Sequence, residues 1–229
     1  MQKLVIVAID GPAGAGKSTV ARLVAERLGF VYIDTGAMYR AVALWAMRRQ
    51  IGLDDMHRLE QLAAQADIRF EPGQRTVLLN GEDVTEAIRA PGVSEAASRV
   101  SAVPGVRRAL VAQQRKIGAE APVVMEGRDI GTVVFPEAQM KVFLDARPEV
   151  RAERRSKELQ EKGERVVVED LAREIRERDH RDASRADSPL MQAPDAVYLD
   201  TTLLSIDEVV AEVLKLVRNR TSNGKDPAR

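Results

Sequence analysis

A glycine-rich segment at residues 11–19, Gly-Pro-Ala-Gly-Ala-Gly-Lys-Ser-Thr, limits most narrowly how this chain can fold. It matches the pattern G-x-x-x-x-G-K-[ST] and lies between a β-branched apolar run, Lys3–Ile9, and an amphipathic pattern, Ser18–Leu28. In that setting the backbone N–H groups of the loop and the following helix N-terminus face phosphate oxygens. We predict that Lys17 reaches the β- and γ-phosphates of ATP and that the Ser18 hydroxyl binds Mg²⁺. The predicted donor-phosphate residues are Gly11, Pro12, Ala13, Gly14, Ala15, Gly16, Lys17, Ser18 and Thr19.

Short apolar runs alternate with helical patterns along the 229-residue chain. Further strands are predicted at residues 30–34, 121–125, 140–145 and 196–200. Further helices are predicted at residues 35–50, 104–117, 148–159, 168–181 and 205–217. Such alternation implies right-handed crossovers between parallel strands. We therefore expect an α/β fold in which a five-stranded, doubly wound parallel sheet lies between two layers of helices.

Two segments depart from this alternation. Residues 67–90 contain three short strand patterns and the turn signal Asn80-Gly81, which predict a small antiparallel insert. Residues 147–185 contain two charged helices around Glu161–Arg165, which predict a helical lid. We expect one domain over residues 1–220 and a flexible tail at 221–229.

The amino-acid composition argues against nucleic acids, membranes and thiolate-bound metals as partners. Lys plus Arg and Asp plus Glu number 35 each, so no global field attracts nucleic acid or a membrane surface. Aromatic residues make up 3% and are not interleaved with basic ones, which argues against an RNA-binding module. The chain has no cysteine, which excludes disulfides and thiolate metal sites. No apolar run approaches the roughly 20 residues of a membrane span, and no targeting segment is evident, so we expect a cytoplasmic protein. We also expect a monomer.

The glycine-rich loop alone indicates only a nucleoside triphosphate site, which several classes of enzyme share. The chain lacks the N-K-x-D pattern that recognises guanine, and it shows no signature of a transporter ATPase. It is also too short for an oligomeric motor with a sensor domain. A small-molecule kinase with the three-layer P-loop kinase fold remains. A nucleotide-binding switch or regulatory ATPase without an acceptor is the alternative from another class.

Clustered arginines predict a second phosphate site. Arg40 follows the second predicted strand and Arg128 follows the third, and ligands of open α/β sheets bind at such strand ends. A third cluster would share one helix face and bind an anion, unless it is a solvated ion-pair surface: Arg178, Arg181, Asp182 and Arg185. Four arginines near the predicted lid, at 147, 151, 154 and 155, either clamp the ATP phosphates or lie on the surface. Of these we assign Arg154 to ATP.

Four motifs together resemble bacterial cytidylate kinases. They are residues 11–19, Tyr-Ile-Asp-Thr-Gly-Ala-Met-Tyr-Arg at 32–40, Glu-Gly-Arg-Asp-Ile-Gly-Thr-Val-Val-Phe-Pro at 126–136, and Glu-Arg-Asp-His-Arg-Asp-Ala-Ser-Arg at 177–185. They occur in that family's order and span nearly the whole chain. The resemblance implies a P-loop nucleoside monophosphate kinase that uses ATP and Mg²⁺ to phosphorylate CMP or dCMP.

The resemblance also implies roles for individual residues. Arg40 and Arg128 match acceptor-phosphate positions, and Asp182 matches a ribose contact. The implied catalytic residues are Lys17, Arg128, Asp129 and Arg178. The implied substrate-binding residues are Thr35, Tyr39, Arg40, Ser98, Arg107, Gly127, Arg128, Asp129, Arg178, Asp182 and Arg185. Two positions depart from the family pattern, because Glu126 stands where Asp is frequent and Ala13 stands where Ser is common.

Cytosine suits three of these residues. Its N4 amine is a donor and its O2 and N3 are acceptors, so Asp129, Arg107 and Ser98 would match it. Uracil would place a carbonyl oxygen against the carboxylate, and a hydrogen-bonding site discriminates strongly against such a mismatch. Without the resemblance, Ser98 and Arg107 would be interpreted as helix surface. A kinase for UMP or another small metabolite is the alternative within the same class.

Overall fold

The computed structural model describes residues 4–71, 76–161, 163 and 166–222, with side chains described through residue 220. Most of the predicted Glu161–Arg165 turn and nearly all of the predicted 221–229 tail lie outside the described residues. Within the described ranges, no helix is both long enough and apolar enough to cross a membrane.

The described residues form eight strands and eight α-helices. In chain order the strands are β1 (Ile6–Asp10), β2 (Val31–Asp34), β3 (Ile68–Phe70), β4 (Val77–Leu79), β5 (Glu82–Asp83), β6 (Val123–Gly127), β7 (Met140–Asp145) and β8 (Val197–Asp200). The helices are α1 (Lys17–Leu28), α2 (Thr35–Arg48), α3 (Met56–Gln65), α4 (Val93–Val100), α5 (Pro104–Glu120), α6 (Pro148–Glu161), α7 (Val168–Ala183) and α8 (Ile206–Ser222). A 3₁₀ turn at Ala87–Arg89 precedes α4, and a short π-helix, Ile130–Val134, follows β6.

The central sheet has the order β2-β6-β1-β7-β8, and every neighbouring pair is parallel. Strand β1 lies in the middle and is buried along its whole length. Because side chains alternate along a strand, Val7 and Ile9 pack with α1 and α8, whereas Ile6 and Ala8 pack on the opposite face with Val111 of α5. The predicted three-layer α/β fold with a five-stranded parallel sheet is confirmed.

Strands β3, β4 and β5 form the predicted antiparallel insert. Leu79 pairs with Glu82 around the turn, whose residues Asn80 and Gly81 have φ values of 52° and 85°. The apolar face of the insert shares one core with α2, α3, α4 and α5, and Arg48 of α2 forms a 2.9 Å ion pair with Glu82. The insert is therefore fixed to the helix that carries Tyr39 and Arg40. Residues 72–75 of this segment lie outside the described residues.

Three features differ from the sequence prediction. Helices α3 and α4 were not predicted; α3 is capped by Asp55, whose carboxylate accepts from Arg58 N at 3.1 Å. Helix α7 ends at Ala183, so Arg185 lies beyond the helix and the prediction of one continuous helical face through residue 185 is wrong. The N–H of Ser184 still bonds to His180 O, and this bond closes the last turn of the helix.

Gly11 should be irreplaceable for packing reasons. Its φ is +147°, and an added Cβ would overlap the carbonyl oxygen of Leu144 on β7. We expect Gly11→Ala to lower the free energy of unfolding by at least about 3 kcal/mol, because backbone strain and overlap add together. Gly29→Ala is the matched control: its φ is +67°, but nothing lies within 4 Å of the added Cβ. Its expected loss is about 1 kcal/mol. Urea denaturation measures both, and equal losses would contradict the overlap.

Candidate active site

A cleft of about 720 Å³ opens at the carboxyl ends of β1, β2 and β6. The glycine-rich loop lies on one side of it, and residues of α2, α4, α5, α6 and α7 line the other sides. The predicted site residues that line it are Ala13, Gly14, Gly16, Lys17, Ser18, Thr19, Thr35, Tyr39, Arg40, Ser98, Arg107, Gly127, Arg128, Asp129, Arg178, Asp182 and Arg185. Gly11, Pro12, Ala15 and Arg154 do not line it.

The glycine-rich loop leaves backbone donors available to a ligand. Gly14 and Gly16 have φ values of 76° and 87°, and Gly16 precedes α1 without any side-chain cap. Since the first N–H groups of a helix have no partner within it, those of α1 remain for an anion. The residues of this first turn, Lys17, Ser18 and Thr19, line the cleft.

Lys17 is buried beside this loop. Lys17 is only 6% exposed, and its Nζ donates to Pro12 O at 2.7 Å. Burial, together with the neighbouring Arg128 and Arg178, lowers the pKa of Lys17 to about 7, and Glu126 and Asp10 oppose this shift. An anion in the cleft would favour the charged ammonium group.

Oxygen ligands cluster next to Ser18. The Tyr32 hydroxyl donates to Glu126 Oε1 at 2.6 Å, and Ser18 interacts with both side chains. Burial, with Asp34 nearby, raises the pKa of Glu126. Thr35 Oγ1 donates to the Glu126 carbonyl oxygen at 2.7 Å and so connects the start of α2 to β6. Tyr32 was not among the predicted site residues, although it lies two residues before Asp34 and therefore on the same side of β2.

Arg40 is oriented by Asp34. Arg40 Nη2 lies 2.7 Å from Asp34 Oδ2, and Asp34 Oδ1 caps α2 by accepting from Ala37 N at 3.0 Å. Burial alone would raise the pKa of Asp34, but Arg40 and the Ala37 N–H outweigh it and the pKa is lowered. The carboxylate therefore stays ionised and holds the guanidinium group at the cleft.

Three arginines surround the single carboxylate of Asp182. Arg128 Nε donates to Asp182 Oδ2 at 3.0 Å, and Arg185 forms an ion pair with the other oxygen. Arg185 also donates to Ser101 Oγ at 2.8 Å, which connects the end of α4 to the segment after α7. Burial and then Arg128 lower the pKa of Arg178 to about 10, and its buried Nε has no hydrogen-bond partner in the described structure. The cluster therefore has excess positive charge and suits an anion.

A second polar cluster lies at the far end of the cleft. Arg107 and Asp129 form a buried ion pair, and the guanidinium group of Arg107 lies 5.6 Å from the ring centroid of Tyr39. Burial raises the pKa of Tyr39 to about 12. Ser98 Oγ and Arg107 Nε are buried without hydrogen-bond partners among the described residues. Ser98 and Arg107 are thus not helix surface, and their free donors suit a polar ligand.

The arginines near the predicted lid have different surroundings. Arg151 is buried and donates to Ala13 O at 3.0 Å and to Asp179 Oδ2 at 2.6 Å, so it connects the glycine-rich loop to α7. Arg154 donates to Thr201 O at 2.6 Å, outside the cleft. Arg155, predicted either to clamp the ATP phosphates or to lie on the surface, lines the cleft. Arg147 borders a smaller cavity of about 320 Å³ beside the end of β8.

Comparisons with known proteins agree on one family. A family model described as cytidylate kinase matches residues 7–219. The chain is 62% identical over 227 residues to a cytidylate kinase of Solibacter usitatus (strain Ellin6076), covering 98% of this chain and 97% of that protein. It is 52% identical over 213 residues to a cytidylate kinase of Carboxydothermus hydrogenoformans, covering 92% and 96%. The crystal structure of a gluconokinase from Sinorhizobium meliloti 1021 has the same fold, with a TM-score of 0.50, 18% identity and coverage of 96% and 95%.

The lowered pKa of Lys17 predicts a pH dependence of stability. Its value is about 7 in the folded protein and 10.5 ordinarily, so between these pH values the unfolded chain binds more protons and stability rises with pH. From pH 7 to pH 9 this lysine should add about 2 kcal/mol to the free energy of unfolding. Urea denaturation of wild type and Lys17→Met at both pH values should show this rise only in wild type. The same rise in both proteins would contradict the lowered pKa of Lys17 in the folded protein.

Proposed function

The chain belongs to the cytidylate kinase family, and from that premise we propose that it transfers the γ-phosphoryl group of ATP to the 5′-phosphate of CMP or dCMP. The products are CDP or dCDP and ADP. The observation that carries this proposal is that the glycine-rich loop and the guanidinium groups of Arg40 and Arg128 line one cleft. A cytoplasmic location and a monomeric state remain predictions.

The donor half of the cleft suits ATP with Mg²⁺. The loop N–H groups and Lys17 would bind the phosphates. Ser18 and Glu126 supply oxygen ligands that lie close to one another, and oxygen is the ligand atom that Mg²⁺ prefers. The described residues contain no group of three or more His, Cys, Asp or Glu side chains placed to hold a metal. This fits an ion that is held mainly by phosphates and water. When bound, Mg²⁺ would neutralise charge on the transferring phosphates.

The acceptor half suits a nucleoside monophosphate. Arg40 and Arg128 are oriented by Asp34 and Asp182, so little side-chain freedom is lost when they bind a phosphate. The unpartnered Nε of Arg178 adds a further donor. Asp182, buried among these arginines, would accept from a ribose hydroxyl.

The far end of the cleft suits cytosine. The unpartnered donors of Ser98 and Arg107 match the base's acceptors, and the carboxylate of Asp129 matches its N4 amine. A uracil base would leave the carboxylate facing another acceptor, which costs affinity in a buried site. These contacts support CMP over UMP.

Catalysis would consist of alignment and charge neutralisation. The acceptor phosphate is already an anionic nucleophile, so direct in-line displacement needs no covalent intermediate on the protein. Lys17 and the cleft arginines would stabilise the charge on the equatorial oxygens. Helices α6 and α7, which share their own small core, would move as a lid, exclude water and bring Arg155 and Arg178 to the phosphates. The predicted contact of Arg154 with ATP would require its guanidinium group to leave Thr201.

An acceptor panel tests the proposed activity. With ATP and Mg²⁺ we expect release of ADP with CMP and dCMP, and kcat/KM for UMP at least about a hundredfold lower, because uracil mismatches Asp129. A coupled assay of ADP release measures these rates, with AMP and GMP as further acceptors. Equal rates with all bases would refute the cytosine assignment, and ATP binding without transfer to any monophosphate would indicate a nucleotide-binding switch.

Two substitutions separate the halves of the cleft. Lys17→Ala should lower kcat by at least about a hundredfold, because this ammonium group would stabilise the transferring phosphate. Arg40→Ala should raise KM for CMP by at least about tenfold and change the affinity for ATP little, since Arg40 would bind the acceptor. Arg48→Ala is the matched control: it lies on the same helix, is half exposed and pairs with Glu82 outside the cleft. CMP kinetics unaffected by Arg40→Ala would contradict the acceptor site.

A further inference from the structure

Asp10 is a buried carboxylate at the end of β1, directly before the glycine-rich loop. It does not line the cleft. Its two oxygens accept from two successive backbone amides on another part of the chain: Oδ1 from Ile130 N at 2.9 Å and Oδ2 from Gly131 N at 2.7 Å. Asp10 therefore connects the start of the glycine-rich loop to the segment that follows β6.

That segment, residues 127–136, is called the acceptor loop below, because Arg128 and Asp129 lie at its start. The amides of Ile130 and Gly131 open the π-helix, where N–H groups have no partner within the helix. Asp10 supplies the missing acceptors from a neighbouring strand. The burial of Asp10 raises its pKa to about 6, while the two amides oppose this shift, so the carboxylate is mainly ionised at pH 7.

The other end of the acceptor loop is held by two basic side chains. Arg115 donates to Val133 O at 2.8 Å and to Val134 O at 3.0 Å, and Lys141 donates to Pro136 O. These contacts lie beyond the π-helix start. Asp10 acts at the opposite end, on the residues that directly follow Asp129.

We propose that Asp10 is a positioning residue that fixes the acceptor loop and thereby orients Arg128 and Asp129 toward the acceptor nucleotide. It touches neither substrate. Because Asp10 also precedes Gly11, it sets the spacing between the glycine-rich loop and the acceptor loop. This inference rests on the proposed function for its kinetic consequence, but the contact itself does not.

The packing around Gly131 supports the proposal. A Cβ added at Gly131 would lie 3.3 Å from Asp10 Oδ2 and 3.1 Å from Lys141 Cδ. The amide of residue 131 thus approaches the carboxylate as closely as it does because no side chain intervenes. A small substitution on the loop side should weaken the same contact without touching β1.

Asp10→Asn tests the proposal with a side chain of nearly the same shape. An amide group has one acceptor oxygen, so one of the two loop N–H groups would face an NH₂ group. We expect faster hydrogen–deuterium exchange at Ile130 and Gly131 in the free protein and unchanged exchange over residues 11–19. We also expect KM for CMP to rise by at least about tenfold, with the dissociation constant for ATP changed less than about twofold.

Val7→Ala is the control for lost stability alone. It lies on the same strand, is fully buried in the core and has no role in the cleft. We expect it to lower the melting temperature while leaving KM for CMP and exchange at residues 130 and 131 unchanged. A rise in KM for CMP in this variant equal to that of Asp10→Asn would overturn the proposal.

Gly131→Ala tests the contact from the acceptor loop, and it decides the matter if Asp10→Asn does not fold. It should give the same pattern, with faster exchange at the two amides and a weaker effect on KM for CMP of about threefold or more. Unchanged exchange and unchanged KM in a folded variant would overturn the proposal, as would an Asp10→Asn effect on ATP binding equal to that on CMP. Wild type that phosphorylates no CMP refutes the proposed function, whereas the exchange result still decides whether Asp10 fixes the loop.

Discussion

The three guanidinium groups around the single carboxylate of Asp182, with the buried ammonium group of Lys17 nearby, are the constraint on which the site depends. Arg128 and Arg185 share the carboxylate of Asp182. Burial, and then the neighbouring Arg128, lower the pKa of Lys17 to about 7 and that of Arg178 to about 10. Cationic groups held out of water without full neutralisation favour a bound anion over the empty cleft. In the proposed reaction the same charges would stabilise a transition state whose negative charge is spread over phosphate oxygens.

The parallel sheet brings these groups together. Because β2, β6 and β1 are neighbours with Asp34 opposite Glu126 and Asp10 opposite Gly127, the three segments that follow them start side by side. The glycine-rich loop, the turn into α2 and the acceptor loop therefore meet at one edge. The carboxylates at these strand ends, Asp10, Asp34 and Glu126, each hold a neighbouring segment by hydrogen bonds. Asp10 and Asp34 accept from backbone N–H groups, whereas Glu126 accepts from the Tyr32 hydroxyl.

The sequence predicts the parts of this structure that local patterns determine. The glycine-rich loop, the five parallel strands and the Asn80-Gly81 hairpin follow from periodicity and turn chemistry, which act over a few residues. Helices α3 and α4 are short and were not predicted, although the Asp55 cap of α3 is itself a local signal. The end of α7 at Ala183 was likewise not predicted, although Arg185 still reaches Asp182 from beyond the helix.

The burial of Arg107 depends on Asp129, which is 22 residues away in sequence, and no local pattern indicates such a pair. Arg154 and Arg155 are neighbours with opposite surroundings, a difference that only the position of α6 decides.

The central claim is that donor and acceptor nucleotides bind in one cleft with their phosphates facing each other. A crystal structure of the protein with CMP and a non-hydrolysable ATP analogue tests it most directly. The account predicts that the CMP phosphate contacts Arg40 and Arg128, that the base lies against Ser98, Arg107 and Asp129, and that the γ-phosphate of the analogue lies in line with it at Lys17. A CMP molecule bound outside this cleft, or one whose phosphate points away from Lys17, would contradict the account.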